Sequence, residues 1–314
     1  MRWPLFDAHC DTLSAMRRSG QALWRNDLHV DLERGRVFAP WAQFFAIFEQ
    51  NVLSQGPFWD QYELFLGQIG AEMEHAVFCR TAEEAKTVAE MGKVAAFLSV
   101  EGAELLNCDL DKLAEAHRLG VRMVTLTWNH ANALSGAHMD ASGRGLSELG
   151  RRFVRTCQDL GVIVDVSHLS EPGFWDVAEE MEGPFVASHS NSKAVWSHSR
   201  NLTDAQFLAI VKAGGVAGIN LYSKFVGDDP DVDDVIAHVE HFWSLGGERS
   251  VAMGADLDGC DALPRGIVGI QDLEQVAEGL LRRNYGEGLV RDLFYNNLLR
   301  VVETVCSMTN ANTK

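Results

Sequence analysis

Val94-Ala95-Ala96-Phe97-Leu98-Ser99-Val100-Glu101 is a near-continuous apolar run that closes on a carboxylate. A strand with one face in water alternates apolar and polar residues. A run without alternation belongs to a strand covered on both faces, as in a parallel sheet flanked by helices. The signature recurs at Leu5 to His9, Gln43 to Phe48, Val121 to Thr127, Val162 to Ser167, Phe185 to His189, Gly215 to Asn220 and Val251 to Ala255. Helical patterns fill the intervals: Trp59 to His75, Thr81 to Met91, Asp109 to Leu119, Ser147 to Leu160, Pro172 to Glu180, Thr203 to Ala213, Val232 to Leu245 and Leu273 to Asn284. Gly288 to Met308 reads as one more amphipathic helix. Asp109 and Thr203 suit helix N-caps, Pro172 a first helical position, and Gly120, Gly161 and Gly214 follow helix ends. Eight strands alternating with helices predict an α/β fold, a (β/α)8 TIM barrel. The runner-up, a doubly wound open sheet, calls for a Gly-x-Gly-x-x-Gly after the first strand, and none is there. Gln50 to Ala76 is long for one crossover and leaves room for an extra helix or a lid. With no repeat, low-complexity segment or Pro/Ser/Gly-rich linker, residues 1–314 read as one domain.

The balance of 27 basic against 44 acidic side chains gives a net charge of −17 over 314 residues. That argues against nucleic-acid partners, which need clustered Lys and Arg, and against an anionic membrane surface. Hydrophobic content of 46% excludes a disordered chain. Met1 to Phe6 leads straight into the first strand, leaving no room for a signal peptide, and no apolar run approaches a membrane span. Six scattered cysteines without a Cys-x-x-Cys read as reduced thiols of a cytoplasmic protein, with Cys10 and Cys260 as small fillers.

Chemistry in such a barrel sits at the C-terminal ends of the strands. There the sequence places His9 and Asp11, Glu101, the Trp128-Asn129-His130 triplet, His168, His189, Asn220 and Tyr222, and Asp256 and Asp258. The strand starts, by contrast, are apolar or glycine, Gln43 excepted. His9-Cys10-Asp11 puts an imidazole and a carboxylate on one side of a strand, where both can reach one ion. Taken alone, such a motif arises often by chance. Glu101 suits either a salt bridge or a bridge between two cations. His168 and His189 both follow an apolar strand and a serine. Together, His9, Asp11, Glu101, His168 and His189 have the count for a binuclear metal site with one bridging carboxylate.

These residues lie in eight ordered motifs between Phe6 and about Glu303: Asp7-Ala8-His9-Cys10-Asp11-Thr12, Ser99-Val100-Glu101-Gly102, Thr125-Leu126-Thr127-Trp128-Asn129, Val164-Asp165-Val166-Ser167-His168, Ala187-Ser188-His189-Ser190-Asn191, Ser199-Arg200-Asn201-Leu202, Gly254-Ala255-Asp256-Leu257-Asp258-Gly259 and Asn297-Leu298-Leu299-Arg300. In them the chain resembles the renal or membrane dipeptidase family of metallopeptidases. The resemblance implies a (β/α)8 barrel with two Zn2+ per chain, other divalent metals being possible, and hydrolysis of dipeptides by a metal-bridging hydroxide. Dipeptides with a C-terminal D-residue are included. It further implies that His9 and Asp11 bind one zinc, His168 and His189 the other, and that Glu101 bridges them. By the same resemblance Arg200 pairs the substrate carboxylate, Asp256 carries the proton and Tyr222 helps stabilise the oxyanion. Asp258 is the weaker candidate, better suited to structural hydrogen bonding. A homodimer would fit the family.

One departure concerns substrate range. Renal-type members carry a histidine directly after Thr-Leu-Thr, facing the substrate carbonyl, and here that position is Trp128. His130, two residues on, restores the same facing if the strand continues. His238 and His241 lie one helical turn apart, on what reads as a solvated face; His198 could line the pocket, and His138 falls in a loop. Trp24, Trp41 or Trp59 could supply a pocket wall. The competing readings are a binuclear hydrolase of lactones, cyclic amides or phosphoesters, and a non-catalytic barrel that keeps its metals for structure or binds a peptide.

Overall fold

The computed structural model describes residues 2–50, 52 and 56–307. The sheet comprises β1 (Leu5–Cys10), β2 (Trp41–Phe48), β3 (Ala76–Phe78), β4 (Val94–Glu101), β5 (Val121–Thr125), β6 (Ile163–Asp165), β7 (Val186–Ala187), β8 (Val216–Ile219) and β9 (Val251–Met253). Eight of them close a parallel barrel in the order β1-β2-β4-β5-β6-β7-β8-β9, and β9 returns to β1 where Met253 meets Asp7. β3 is the ninth strand, absent from the sequence reading because Ala76-Val77-Phe78 is too short to show a period. The pairing of β4 explains its place. All of β4 pairs with β2, from Trp41 opposite Val94 to Phe48 opposite Glu101. Its other edge is shared, with β3 against Val94 to Ala96 and β5 against Leu98 to Glu101. β3 therefore fills the length of edge that β5 leaves open and stands outside the closed ring.

The barrel is filled from its N-terminal end. Phe6, Phe44 and Phe97 come from adjacent strands, and their ring centroids lie 5.7, 5.3 and 5.2 Å apart. Met123, Ile163 and Val186 join the same buried cluster. Helix Asn297–Cys306 adds Leu298, Val301 and Val302 to it and touches β1, β6, β8 and β9, so it crosses and seals that mouth. The helix read as continuous from Gly288 is divided here into Glu287–Arg291, a π-helical turn at Asp292–Asn296 and Asn297–Cys306; Met308 lies outside the described residues.

The local punctuation acts where the sequence puts it. Asp109 accepts from the backbone N–H of Asp111 and Lys112, and Thr203 forms a capping box with Gln206. Gly120, Gly161 and Gly214 end their helices in the left-handed region, at φ of 107°, 73° and 76°. Pro172 sits at the second helical position, because Ser170 is the cap and Glu171 the first residue. Gln50 to Ala76 does contain a helix, Gly56–Ala71. Two of the tryptophans are far from the strand C-termini. Trp41 opens β2, and Trp24 stacks on His75 just before β3, so both belong to the opposite mouth of the barrel. Trp59 packs edge-on against Phe58 and Tyr62. All six cysteines are buried.

Asp7 closes the seam between the first and last strands. It is fully buried and accepts from Ala255 N–H at 2.7 Å and from the Gln43 amide at 2.6 Å. Asp7→Ala strands both donors in the interior, at roughly 1–3 kcal/mol for each buried group left unpaired. We expect urea unfolding to show a loss of about 3 kcal/mol for that variant. Asp7→Asn should lose far less. The Gln43 carbonyl oxygen, which has no partner, can turn to accept from the new amide.

Candidate active site

Above the phenylalanine floor the barrel turns polar. Glu101 closes β4, two residues beyond Ser99 and four beyond Phe97, and so faces inward by strand alternation. His9 reaches the same space by a different route. The register of β1 against β2 slips between Asp7 and Cys10. Phe6 and Ala8 belong to the inner cluster, whereas Cys10 packs with the outer one. A bulge between Ala8 and Cys10 thus changes the parity of the strand and aims His9 inward.

The two oxygens of Glu101 face different groups. Oε2 lies 3.4 Å from His9 Nε2, which is 3.5 Å from Asp11 Oδ2. Oε1 lies 3.0 Å from His168 Nε2 and 3.6 Å from His189 Nε2. The two latter imidazoles approach each other to 2.8 Å through the same atoms. The arrangement resolves into two sets whose ligand atoms lie within 4.8 Å of one another: His9, Glu101 and His189, and His9, Asp11 and Asp256. Asp256, expected from the sequence as proton carrier, is thus gathered with the ligand candidates. Its Oδ2 accepts from the Asn220 amide at 2.9 Å.

The donor set fits divalent metal ions. Both ring nitrogens of His9 and Oδ1 of Asp11 are buried without a hydrogen-bond partner. Burial pushes the Glu101 carboxyl up to about 7 and the Asp256 carboxyl up to about 6, and the charge of Asp11 adds to both shifts. Burial also opposes a charge on His9, yet Glu101 and Asp11 outweigh it and hold the imidazole well above its ordinary range. His168 and His189 are held well below theirs, by burial first and then by neighbouring cations. Crowded buried carboxylates beside the neutral imidazoles of His168 and His189 are what divalent cations relieve. The loops leave room for this crowding. A Cβ on Gly259 would fall 2.2 Å from Asp11 Oδ2 and 2.3 Å from Asp256 Oδ1. His168 and Asp256 adopt φ of 70° and 57°, and such left-handed non-glycine residues cost about 1–3 kcal/mol each.

A second tier of residues, not singled out as site residues by the sequence reading, holds the histidines. His189 Nδ1 meets Ser188 Oγ at 2.7 Å, and that hydroxyl donates to Asp165 at 2.6 Å. Asp165 is fully buried and also accepts from the Thr125 hydroxyl and from the Ser167 and Ser188 amides. Asn129 Oδ1 lies 2.8 Å from His168 Nδ1. Each outer contact engages Nδ1 and leaves Nε2 facing Glu101, which is how metal-binding histidines are oriented. An aspartate inside the apolar run Val162 to Ser167 was the available signal in the sequence.

Arg200 stands beside this centre. It is only 4% exposed, and its hydrogen bonds go to neutral partners, Ser190 Oγ and the His189 carbonyl, each at 3.3 Å. Its Nε has none, and its guanidinium lies over Phe225 at 5.5 Å. Burial lowers its pKa to about 10. A cavity of about 230 Å³ opens against Arg200, His168, His138 and Ser190.

The remaining predicted positions are farther out. β5 ends at Thr125, so the alternation that would carry His130 inward does not hold. His130 is exposed and edge-on to Trp128, whose own ring lies 5.1 Å from Phe48 and 6.4 Å from His168. Tyr222 is half-buried, with its ring against Phe225 and Lys224. Asp258 accepts from Thr12 Oγ1 at 2.7 Å and from His29 N–H at 2.6 Å. His238 is not on a solvated face. It is fully buried, with Nδ1 accepting from Ser192 N–H and Nε2 donating to the Val226 carbonyl. His241 pairs with Asp204. His198 lies against Phe225, with Nδ1 accepting from Arg200 N–H.

Comparison with known proteins settles the family. The model of the membrane dipeptidases, peptidase family M19, matches residues 1–314. The chain belongs to this family. A metallopeptidase from Rhodobacter sphaeroides, crystallised with a phosphinate mimic of the dipeptide L-Ala-D-Ala, is 29% identical and superposes with a TM-score of 0.88, covering 97% of this chain and 100% of the other. The structure of the M19 dipeptidase AC is 30% identical, with a TM-score of 0.89 over 97% of this chain and 99% of the other. An uncharacterised protein from the pqqA 5′ region of Klebsiella pneumoniae is 29% identical over 260 residues, 79% of this chain and 95% of its own length. Among the described residues of this M19 protein, no helix is long and apolar enough to cross a membrane.

Gly259→Ala tests the crowding at the centre directly. Its methyl group displaces the Asp11 and Asp256 carboxylates, so metal bound per chain should fall well below that of the unmodified protein. Far-UV circular dichroism should be unchanged.

Proposed function

We propose that this chain hydrolyses the amide bond of dipeptides, those with a C-terminal D-residue included, with two zinc ions held by His9, Asp11, Glu101, His168 and His189. The observation that carries the reading is Glu101, whose two oxygens face two separate groups of nitrogen and oxygen donors at 3.4 and 3.0 Å. Bound zinc supplies Lewis-acid polarisation of the carbonyl and lowers the pKa of water toward about 7. The chain's own residues do the rest. Arg200 receives the substrate's terminal carboxylate through its bidentate fork. That contact gives a buried guanidinium the anion its present neutral partners do not provide. Asp256 takes the proton of the attacking water and passes it to the leaving amine. Asn220 keeps that carboxylate oriented through its 2.9 Å hydrogen bond. On this reading His130 and Tyr222 contact the bound substrate, Tyr222 beside the oxyanion. The Rhodobacter relative's L-Ala-D-Ala mimic supports the D-residue. Cys10, Cys79, Cys108, Cys157 and Cys260, buried and without a disulfide, support a reducing, cytoplasmic setting.

The test is a panel of dipeptides with L or D C-terminal residues, assayed with zinc-loaded protein before and after chelation. Cleavage should disappear with the metal. Failure to cleave any member, with two zinc ions verified as bound, would overturn the reading in favour of a lactone, cyclic amide or phosphoester. Arg200→Ala should raise KM for free dipeptides by about 100-fold, the loss of a charge-assisted pair. C-terminally amidated dipeptides should be poor substrates of both proteins. Asp256→Asn, at full zinc content, should lower kcat by roughly 10²–10⁴-fold.

A further inference from the structure

The loop that follows β5 brings a histidine to the centre that no motif indicated. Asn132 anchors the loop: its amide donates to Glu104 and to the Leu126 carbonyl, and its carbonyl accepts from Leu134 and Ser135. Ala137 then pairs with Leu169, and His138 N–H donates to the His168 carbonyl at 2.8 Å. The backbone of His138 is thus bonded to the residue whose ring it neighbours, with 5.7 Å between ring centroids. Its Nε2 lies 2.7 Å from Asn129 Oδ1, and its Nδ1 lies 3.1 Å from Ser199 Oγ.

The donor and acceptor roles in this chain of contacts are forced. This step rests on reading His168 as a metal ligand. A ligating Nε2 must be free of its proton, so His168 carries hydrogen on Nδ1 and donates it to Asn129 Oδ1. The same oxygen faces His138 Nε2, which must therefore also donate. His138 Nδ1 is then the acceptor of the Ser199 hydroxyl. Two N–H groups converging on one amide oxygen fix the orientation of Asn129. Without the second, the Asn129 amide can turn over and present its NH2 to His168 Nδ1. That would move the His168 proton to Nε2 and block the ligand position.

We propose that His138 is a positioning residue: by donating to Asn129 Oδ1 it locks His168 in its metal-binding tautomer. It also ties that ligand to Ser199, the neighbour of the carboxylate-binding Arg200. Metal affinity and the substrate-binding segment are in this way held by one hydrogen-bond chain.

The experiment compares zinc retention in wild type, His138→Gln and His138→Asn. A glutamine amide nitrogen reaches the place of Nε2 and can keep donating to Asn129. An asparagine nitrogen reaches only the place of Nδ1. The proteins are loaded with zinc and equilibrated against graded chelator, and metal per chain is measured by elemental analysis. His138→Asn should release one of its two zinc ions at about tenfold higher free zinc than wild type. His138→Gln should stay within about twofold of wild type. Equal retention by His138→Asn and wild type overturns the proposal, and so does equal loss in both variants, which would assign the effect to ring packing. An aspartate at position 129 can only accept, so His138→Asn should cost little in an Asn129→Asp background; a full tenfold loss there also counts against the proposal. Comparison within that background keeps the test decisive if His138→Asn alone does not fold. If wild type binds fewer than two zinc ions, or His168→Ala retains both, the metal-ligand reading itself fails, and the inference with it.

Discussion

Glu101 is a carboxylate at the end of a long buried strand, standing on a floor of phenylalanine rings, and the upper half of the barrel is organised around its charge. An isolated carboxylate in such a place is costly to ionise. Here it is ringed by three imidazoles, two of them on one oxygen and one on the other. Asp11 and Asp256 add further negative charge nearby, and the buried guanidinium of Arg200 beside them is bonded to neutral atoms. The excess is a demand for cations, and two donor sets divide it between them.

The same demand accounts for features that cost stability. His168 and Asp256 hold left-handed backbone conformations, and Gly259 gives up its side chain so that two carboxylates can share one space. A barrel built for stability alone would need none of these. Asp165 works in the opposite sense. Buried among four donors on neighbouring strands, it joins β5, β6 and the segment after β7, and through Ser188 it sets the orientation of His189. Asp7 is its counterpart at the seam, joining β1 to β2 and to the segment after β9.

The floor and the seal beneath it matter to the chemistry as much as the ligands do. The Phe6, Phe44 and Phe97 layer, closed from below by the helix Asn297–Cys306, keeps water from reaching the centre through the barrel. Access is left to the C-terminal face, where the cavity meets Arg200 and His168. Electrostatic interactions at the centre are strengthened by that dry underside.

Sequence alone determined the barrel, because unbroken apolar runs alternating with capped helices leave few other ways to cover both faces of a parallel strand. It also determined which end of the barrel is reactive, since histidines and carboxylates gather just after the strands, whereas the strands themselves open on mostly apolar residues. Caps such as Asp109 and Thr203 were legible for the same reason: their chemistry is local. Contacts between distant segments were not legible. β3 was too short to carry a period. The bulge that turns His9 inward leaves no mark on the pattern His9-Cys10-Asp11. His130 faces inward only on a strand that continues past Thr125, and the chain bends away there. His138, eight residues later, reaches the centre because Asn132 and the pairing with Leu169 fold its loop back. Side-chain type and local period are written residue by residue, whereas the meeting of Asn129, His138, His168 and Ser199 depends on three loops arriving together, and only the closed barrel brings them there.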